Sequence, residues 1–180
     1  MKKILEENLI VEERQTSFVY YDEINGDIIV QAGANLIAPD LKSCEGDIYI
    51  HDKASFDAPK LKTCGGDIYI HKRAKITLPR LKKCERDIVA YEGAKFTLPK
   101  LEECGGGIHI ANDAYLNLPA LKICRENINI FEDANFNAPA LKDYEGVIFA
   151  YPGARFNISG LEARKGECIA LHKKIILRIN

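Results

Sequence analysis

Residues 39–50 read Pro-Asp-Leu-Lys-Ser-Cys-Glu-Gly-Asp-Ile-Tyr-Ile, and variants of this phrase begin again at Pro59, Pro79, Pro99, Pro119 and Pro139. A fixed period of 20 residues is typical of solenoids, in which each repeat is one supersecondary unit stacked only on its neighbours. The sequence therefore predicts a single elongated domain with a regular, extended surface.

Apolar residues alternate with polar ones inside each repeat, which indicates short strands. Ile48 and Ile50 share one face of a first strand, and Phe56 lies on the core face of a second. Pro59 closes that second strand, and the Pro-x-Leu-x-x-Cys segment that it begins predicts a tight, 3₁₀-like turn. The repeat is too short for two strands and an α-helix of about ten residues or more. We predict a mainly β fold, a parallel β-solenoid of about seven coils with two short strands in each.

The repeat is least regular at the two ends of the chain. Residues 1–26 carry a degenerate unit in which Ile24 replaces the cysteine, and Arg164 replaces it near the other end. Only the end coils of such a stack have unpaired strand edges, and these edges need protection. We therefore expect an N-terminal cap at 1–26, regular repeats over 27–160 and a C-terminal cap at 161–180.

From about residue 24 to 170, the pattern Pro-x-Leu-x-x-Cys-x-Gly-x-Ile-x-Ile resembles short bacterial leucine-rich-repeat proteins. The resemblance implies a right-handed solenoid that recognises other proteins, or occasionally carbohydrate, through the outward side chains of its parallel sheet. The usual core of that family, Leu-x-x-Leu-x-Leu-x-x-Asn, is not met, because Lys53 stands where its asparagine belongs. A curved horseshoe and a straighter parallel β-helix both remain open.

Charge and hydropathy exclude some classes of partner. The 25 lysines and arginines nearly balance the 26 acidic residues, so no overall field favours nucleic acid or an anionic membrane. Acidic residues interrupt the N-terminal segment before an apolar signal region forms, and no apolar run reaches the roughly 20 residues that span a bilayer. We expect a cytoplasmic protein without a membrane partner. A lysine stripe beside the repeat leucines is more typical of a solvated face than of a nucleic-acid site: Lys42, Lys62, Lys82, Lys122 and Lys142.

Five cysteines occupy one position of the repeat and should form a column: Cys44, Cys64, Cys84, Cys104 and Cys124. A free cysteine packs as a small buried hydrophobe, whereas structural zinc sites use close-set ligand pairs that are absent from this pattern. We predict a buried column of free thiols and no metal or other cofactor.

The outward positions of the first strand form three further columns: an aspartate column that includes Asp47 and Asp67, a middle column that includes Tyr49 and Tyr69, and a third column that includes His51, His71 and Tyr91. Exposed aromatic patches mark interaction sites, because tyrosine combines a large contact area with a polar tip. Aromatic residues also stack across coils simply to stabilise a sheet, which is the alternative interpretation. We assign partner binding to Asp47, Tyr49, His51, Asp67, Tyr69, His71, Tyr91, His109, Phe131, Phe149 and Tyr151.

The aspartate column and the histidines each have a second interpretation. Carboxylates about 5 Å apart suit a retaining glycosidase, and an aspartate ladder could also bind calcium, but a short carboxylate beside a turn also bonds turn amides. Acid and nucleophile need different environments, which equivalent repeat positions do not provide, so we predict no catalytic residue. His51 and His71 could share a metal, but His109 falls in another column, about 10 Å from His71.

Three functional hypotheses follow. The first is a non-enzymatic recognition module that binds a protein partner, which could act as an inhibitor or an immunity-type blocker. The second is a carbohydrate-binding or polysaccharide-acting solenoid that uses the aspartate column. The third is self-assembly, in which the aromatic sheet pairs with its copy in a homodimer.

Overall fold

The computed structural model describes residues 2–161 and 168–169. Within these residues the protein is a parallel β-solenoid built from short strands, which confirms the predicted fold class. No helix in the described part of the chain is long and apolar enough to cross a membrane.

Each coil contributes one strand to each of three sides of the solenoid, and neighbouring strands within a sheet are parallel. The first sheet contains Ile4–Leu5, Glu23–Ile24, Ser43–Cys44, Thr63–Cys64, Lys83–Cys84, Glu103–Cys104, Ile123–Cys124 and Asp143–Tyr144. The second sheet contains Leu9–Val11, Ile28–Val30, Ile48–Ile50, Ile68–Ile70, Ile88–Ala90, Ile108–Ile110, Ile128–Ile130, Ile148–Ala150 and Cys168–Ile169. The third side contains Thr16–Phe18, Asn35–Ile37, Ser55–Asp57, Lys75–Thr77, Lys95–Thr97, Tyr115–Asn117, Asn135–Asn137 and Arg155–Asn157.

We number the coils 1 to 8 from the N-terminus. Coil 1 covers 4–18 and coil 2 covers 23–37, and each later coil starts 20 residues after the one before it, so that coil 8 covers 143–157. Coil 1 pairs with coil 2 at an offset of 19 residues, with Ile4 opposite Glu23. The segment expected as the N-terminal cap thus contains a three-stranded coil, which brings the total in the described residues to eight.

The structure adds a strand that the sequence interpretation placed inside a turn. A tight turn does follow Pro59, closed by the Leu61 N–H, which donates to the Ala58 carbonyl at 3.1 Å. The chain then becomes extended, and Cys64 lies opposite Cys44 in a parallel ladder. Because the turn needs only its first residues to reverse the chain, the remaining ones are free to pair, so each coil has three strands instead of the predicted two.

The C-terminal cap that we predicted lies mostly outside the described residues. Leu161 is described and half-buried, and the backbone of Cys168–Ile169 extends the second sheet beside Ile148 and Phe149.

The core is a stack of equivalent apolar layers. Ile48 and Ile50 of the second sheet and Phe56 of the third side are all buried, as the alternation predicts. Burying each such side chain stabilises the fold by about 1.5–3 kcal/mol. The residues that alternate with these buried ones therefore point outward. On the second sheet they form the three columns to which we assigned partner binding.

The third side is not one sheet. Coils 1–4 form one four-stranded sheet and coils 5–8 form another, so Lys75–Thr77 does not pair with Lys95–Thr97. Elsewhere on this side a backbone N–H reaches the previous coil, as from Lys75 to Ala54 at 2.9 Å; within the described residues no such bond joins Lys95 to Ala74. The first and second sheets continue without interruption. We call this gap between coils 4 and 5 the seam.

The seam lies beside the coil that buries a large aromatic and a large aliphatic residue on the third side of the core. Coil 5 buries Phe96 and Leu98 there. Coil 4 has Leu78 with the partly buried Ile76, and coil 6 has Leu116 and Leu118. Overfilling a packed core forces the backbone to shift. On the second sheet, coil 5 compensates with Ala90, where coils 4 and 6 carry isoleucine.

Candidate functional site

The aspartate column is built into the backbone of the solenoid. Oδ1 of Asp47 accepts the N–H of Asp67 at 2.7 Å, and Oδ1 of Asp67 accepts the N–H of Asp87 at 2.8 Å. Asp27 and Asp87 make the same bond to the coil that follows each of them. These carboxylates satisfy amides at the strand entrance, as one of the two sequence interpretations anticipated.

A glycine precedes Asp27, Asp47 and Asp67 and leaves room for this bond, whereas Arg86 precedes Asp87. A Cβ added to Gly46 would lie 2.5 Å from Oδ1 of Asp27 and 2.6 Å from the backbone of Gly26. Neither neighbour can move without breaking the amide bond or the ladder, so Gly46 cannot be replaced without a local shift of the chain. Coils 5 and 7 carry Arg86 and Glu126 at the equivalent position.

The two tyrosines of the middle column are fixed by the same carboxylates. The hydroxyl of Tyr49 donates to Oδ2 of Asp47 at 2.8 Å, and that of Tyr69 donates to Oδ2 of Asp67 at 2.8 Å. Their rings stack with centroids 4.7 Å apart and planes 5° from parallel. Because each hydroxyl proton is committed to a carboxylate, the phenol oxygens offer only acceptor positions to an approaching molecule.

The pKa values of these phenols are consistent with that geometry. The hydrogen bond to Asp47, followed by desolvation, raises the pKa of Tyr49 to about 12. Burial, followed by the bond to Asp67, also raises the pKa of Tyr69. Both phenols therefore stay protonated at neutral pH and act as fixed, uncharged side chains.

The third column continues the aromatic surface across coils 3, 4 and 5. The His51 and His71 rings stack at 5.0 Å, and the His71 and Tyr91 rings stack at 4.1 Å with a tilt of 24°. Tyr91 also reaches the middle column, with its ring 6.4 Å from that of Tyr69. We call Tyr49, His51, Tyr69, His71 and Tyr91 the five-ring cluster.

The imidazole of His71 favours the neutral state within this cluster. Burial, followed by the neighbouring His51, lowers the pKa of His71, while the Asp52 carboxylate 3.6 Å away acts in the opposite direction. The five-ring cluster is therefore an uncharged aromatic surface, and the phenol oxygens of Tyr49 and Tyr69 can accept hydrogen bonds at its edge.

A second aromatic group lies in the last two coils. The rings of Phe131 and Tyr151 stack at 4.9 Å and 12°, and Phe149 lies half-buried in the adjacent column. Ala111 of coil 6 separates this pair from Tyr91. The predicted site residues thus form two groups with a gap between them, and do not form one continuous patch.

His109 belongs to neither aromatic group. Its Nδ1 accepts a hydrogen bond from the Asn129 amide at 2.9 Å, and its Nε2 lies 3.7 Å from Oδ2 of Asp87. Gly107 makes this possible, since a Cβ there would lie 3.1 Å from Nε2 of His109. The ring therefore bridges three coils through polar contacts, whereas we had predicted it as part of the binding surface.

The cysteine column is buried and free of disulfides, as predicted. The Cys64 and Cys84 thiols both donate to the Gly66 carbonyl, at 3.4 Å in each case. Burial raises the pKa of the Cys44 thiol to about 12. The described residues contain no group of three or more His, Cys, Asp or Glu side chains that could hold a metal ion.

Acidic partners interrupt the lysine stripe of the first sheet. Lys82 and Lys122 flank Glu102 at 3.7 and 2.7 Å. On the neighbouring column, Glu103 accepts Arg125 at 3.2 Å. Much of the positive charge on this face is therefore paired within the protein.

No family model matches this chain, and neither a curated protein nor a solved structure does. The geometry of the second sheet is the basis for a functional assignment. Two features of that geometry were missed in the sequence. Asp47 and Tyr49 lie two residues apart on one strand face, which could have indicated their contact, and Ala111 is a single small residue in an aromatic column.

Proposed function

We propose that the protein is a non-enzymatic recognition module that binds a protein partner through the outward face of its second sheet. The observation that carries this proposal is the five-ring cluster, whose side chains are held in place by stacking and by the two Tyr–Asp hydrogen bonds. Ordered aromatic side chains lose little conformational entropy on binding, which makes such a surface suited to an interface.

The hydrogen bonds of the aspartate column favour recognition over hydrolysis. In Asp47 and Asp67 one carboxylate oxygen accepts a backbone amide and the other accepts a phenol. A retaining glycosidase needs one carboxylate free to attack and another with a raised pKa. Both carboxylates are already committed as hydrogen-bond acceptors, so neither is free to attack a sugar.

The leucine-rich-repeat resemblance gives a further reason for the proposal, because those proteins use the outward side chains of a parallel sheet in this way. A rigid module of this kind could inhibit or block a single target in the cytoplasm. A homodimer through the same face is the competing assignment, since Phe131, Phe149 and Tyr151 lie together near one end.

A paired set of variants tests the proposal. We would compare the wild type with the double variant Tyr69→Ala and Tyr91→Ala in affinity capture from the native cell lysate. Tyr115→Ala is the matched control, because Tyr115 lies on the third side with an exposed fraction of 36%, close to the 40% of Tyr91.

The expected result is one protein captured by the wild type and by the control, and lost in the double variant. Light scattering on the purified chain should give the monomer mass. Capture that survives in the double variant, or a dimer that only the double variant abolishes, would overturn the assignment of this face to a foreign protein.

A further inference from the structure

The aromatic column of the second sheet contains a gap of one residue. Along this column the chain places His71, Tyr91, Ala111, Phe131 and Tyr151, each one coil from the next. One face of the Tyr91 ring packs on His71, and one face of the Phe131 ring packs on Tyr151. The opposite faces of Tyr91 and Phe131 therefore both point toward coil 6, where the column offers only the methyl group of Ala111. We call this gap the Ala111 slot.

The width of the slot corresponds to a single planar group. Parallel strands lie about 4.8 Å apart, so side chains two coils apart are separated by about 10 Å. The stacked pairs at either end of the slot have centroid separations of 4.1 and 4.9 Å, and one inserted plane would repeat that spacing on both sides. The exposed fraction of Tyr91, 40%, is consistent with its open face.

The segments that carry the walls and the floor of the slot are acidic. Residues 87–93, 107–113 and 127–133 contain five carboxylates and neither lysine nor arginine. Glu92 and Glu132 directly follow the two wall residues and are exposed. Cations lie on the adjoining corner, where Lys72, Arg73 and Lys95 line a cleft beside Gly93 and Asp113. An occupant of this slot should therefore be planar, apolar on its faces and positively charged.

We propose that the Ala111 slot binds the guanidinium group of an arginine on the protein partner, stacked between Tyr91 and Phe131 and paired with Glu92 or Glu132. Guanidinium is flat, weakly hydrated and stacks on aromatic faces, whereas the ammonium of lysine is compact and strongly hydrated. This inference rests on the proposed recognition function and adds to it the chemistry of the anchor residue.

Three small probes separate planarity from charge. We would titrate the ¹⁵N-labelled protein with the N-acetyl, N-methylamide derivatives of arginine, citrulline and lysine, and follow the backbone amide signals of residues 111, 112, 131 and 132. Citrulline has the shape of arginine without its charge, and lysine has the charge without the plane. The expected result is a saturable shift with arginine and binding at least about threefold weaker with the other two.

Two variants establish the location. Ala111→Phe fills the slot with a side chain that the column already accepts, and should abolish the arginine-dependent shifts at residues 112, 131 and 132. Gln31→Phe is the matched control, because it adds the same ring to the same column in coil 2, beside His51, and should leave the shifts unchanged. Circular dichroism and thermal melting of both variants check that they are folded.

The outcomes distinguish this inference from the proposed function. Equal binding of arginine and citrulline would overturn the charge argument, and an arginine-dependent shift that persists in Ala111→Phe would overturn the location. No saturable shift with arginine, together with partner capture that still depends on Tyr69 and Tyr91, would overturn the slot and leave the recognition function standing. A slot that binds arginine in a protein whose partner capture ignores Tyr69 and Tyr91 would show that the slot has the proposed chemistry, but would overturn both the proposed face and the use of the slot by the captured partner.

Discussion

The hydroxyl of Tyr69 donates to Oδ2 of Asp67 at 2.8 Å, and Oδ1 of the same carboxylate accepts the backbone N–H of Asp87. One side chain thus connects the stacking of two coils with the orientation of a surface aromatic residue. Asp67 is buried, and Nε of Arg86 lies 3.5 Å from its Oδ1. Stability and surface geometry should therefore respond together when this residue changes.

We expect Asp67→Ala to lower the free energy of unfolding by about 1–3 kcal/mol, because it leaves a shielded amide and a phenol without their acceptor. Asp67→Asn should cost less, since its carbonyl oxygen can still accept the Asp87 amide. Urea unfolding measures both. Asp57→Ala is the control, because its side chain points outward from the third side. A loss at Asp57 equal to that at Asp67 would contradict the ladder argument.

The small residue at position 90 should resist replacement by the larger residue that neighbouring coils use. Ala90→Ile restores the residue found in coils 4 and 6, yet we expect it to destabilise the protein by about 1–3 kcal/mol, because Phe96 and Leu98 already fill that layer. Adding Phe96→Leu should recover part of the loss. A double-mutant cycle in urea gives the coupling, and strictly additive effects would rule out the compensation.

The cysteine column should be chemically inert in the folded protein. Burial raises the pKa of Cys44 to about 12, so its reactive thiolate is scarce at neutral pH. In a Cys168→Ser background, we expect no rapid reaction of the remaining five thiols with a disulfide reagent until denaturant is added. Rapid labelling of the native protein at pH 8, before any change in circular dichroism, would contradict the buried column.

Stability should fall between pH 7.5 and 5.5 partly through His71. Burial lowers the pKa of its side chain below the ordinary value of 6.5, so the unfolded chain takes up a proton here before the folded protein does. Proton uptake by the unfolded state lowers the free energy of unfolding as the pH decreases. His71→Phe keeps a stacked ring and removes the titration.

Urea unfolding of the wild type and of His71→Phe at both pH values measures this contribution. The wild type should lose more stability than the variant on going to pH 5.5. Equal losses would show that His71 does not contribute to the pH dependence.

The regular spacing made much of this fold predictable. A period of 20 residues with alternating isoleucines predicts stacked parallel strands, and a cysteine that recurs once per repeat predicts a buried column. The additional strand of each coil, which lies in the first sheet, was not predictable in the same way. A two-residue strand such as Ser43–Cys44 is too short to show an alternation of polar and apolar residues. It forms only because the neighbouring coils supply its hydrogen-bond partners.

The binding surface was predicted as a set of residues but not as an arrangement. Column positions place Tyr49 above Tyr69, yet they do not show that the carboxylates hold the hydroxyl protons. His109 is an example, because its column position does not show that its ring lies beside Asp87. The ring has room there because Gly107 has no side chain. The seam lies beside the layer that contains Phe96 and Leu98, and no single repeat position reveals where the pairing stops.

The seam also affects how the rod carries load. Between coils 4 and 5 the strands pair on two sides of the solenoid and do not pair on the third. We therefore expect the rod to bend most easily at the seam. His71 of coil 4 and Tyr91 of coil 5 stack across the same junction on the second sheet, which is continuous there. Their ring centroids lie 4.1 Å apart. Flexing at the seam changes the angle between those rings, and a molecule clamped over them resists that change. A partner bound over these rings, as we propose, should therefore stiffen the junction between coils 4 and 5 as well as cover its surface.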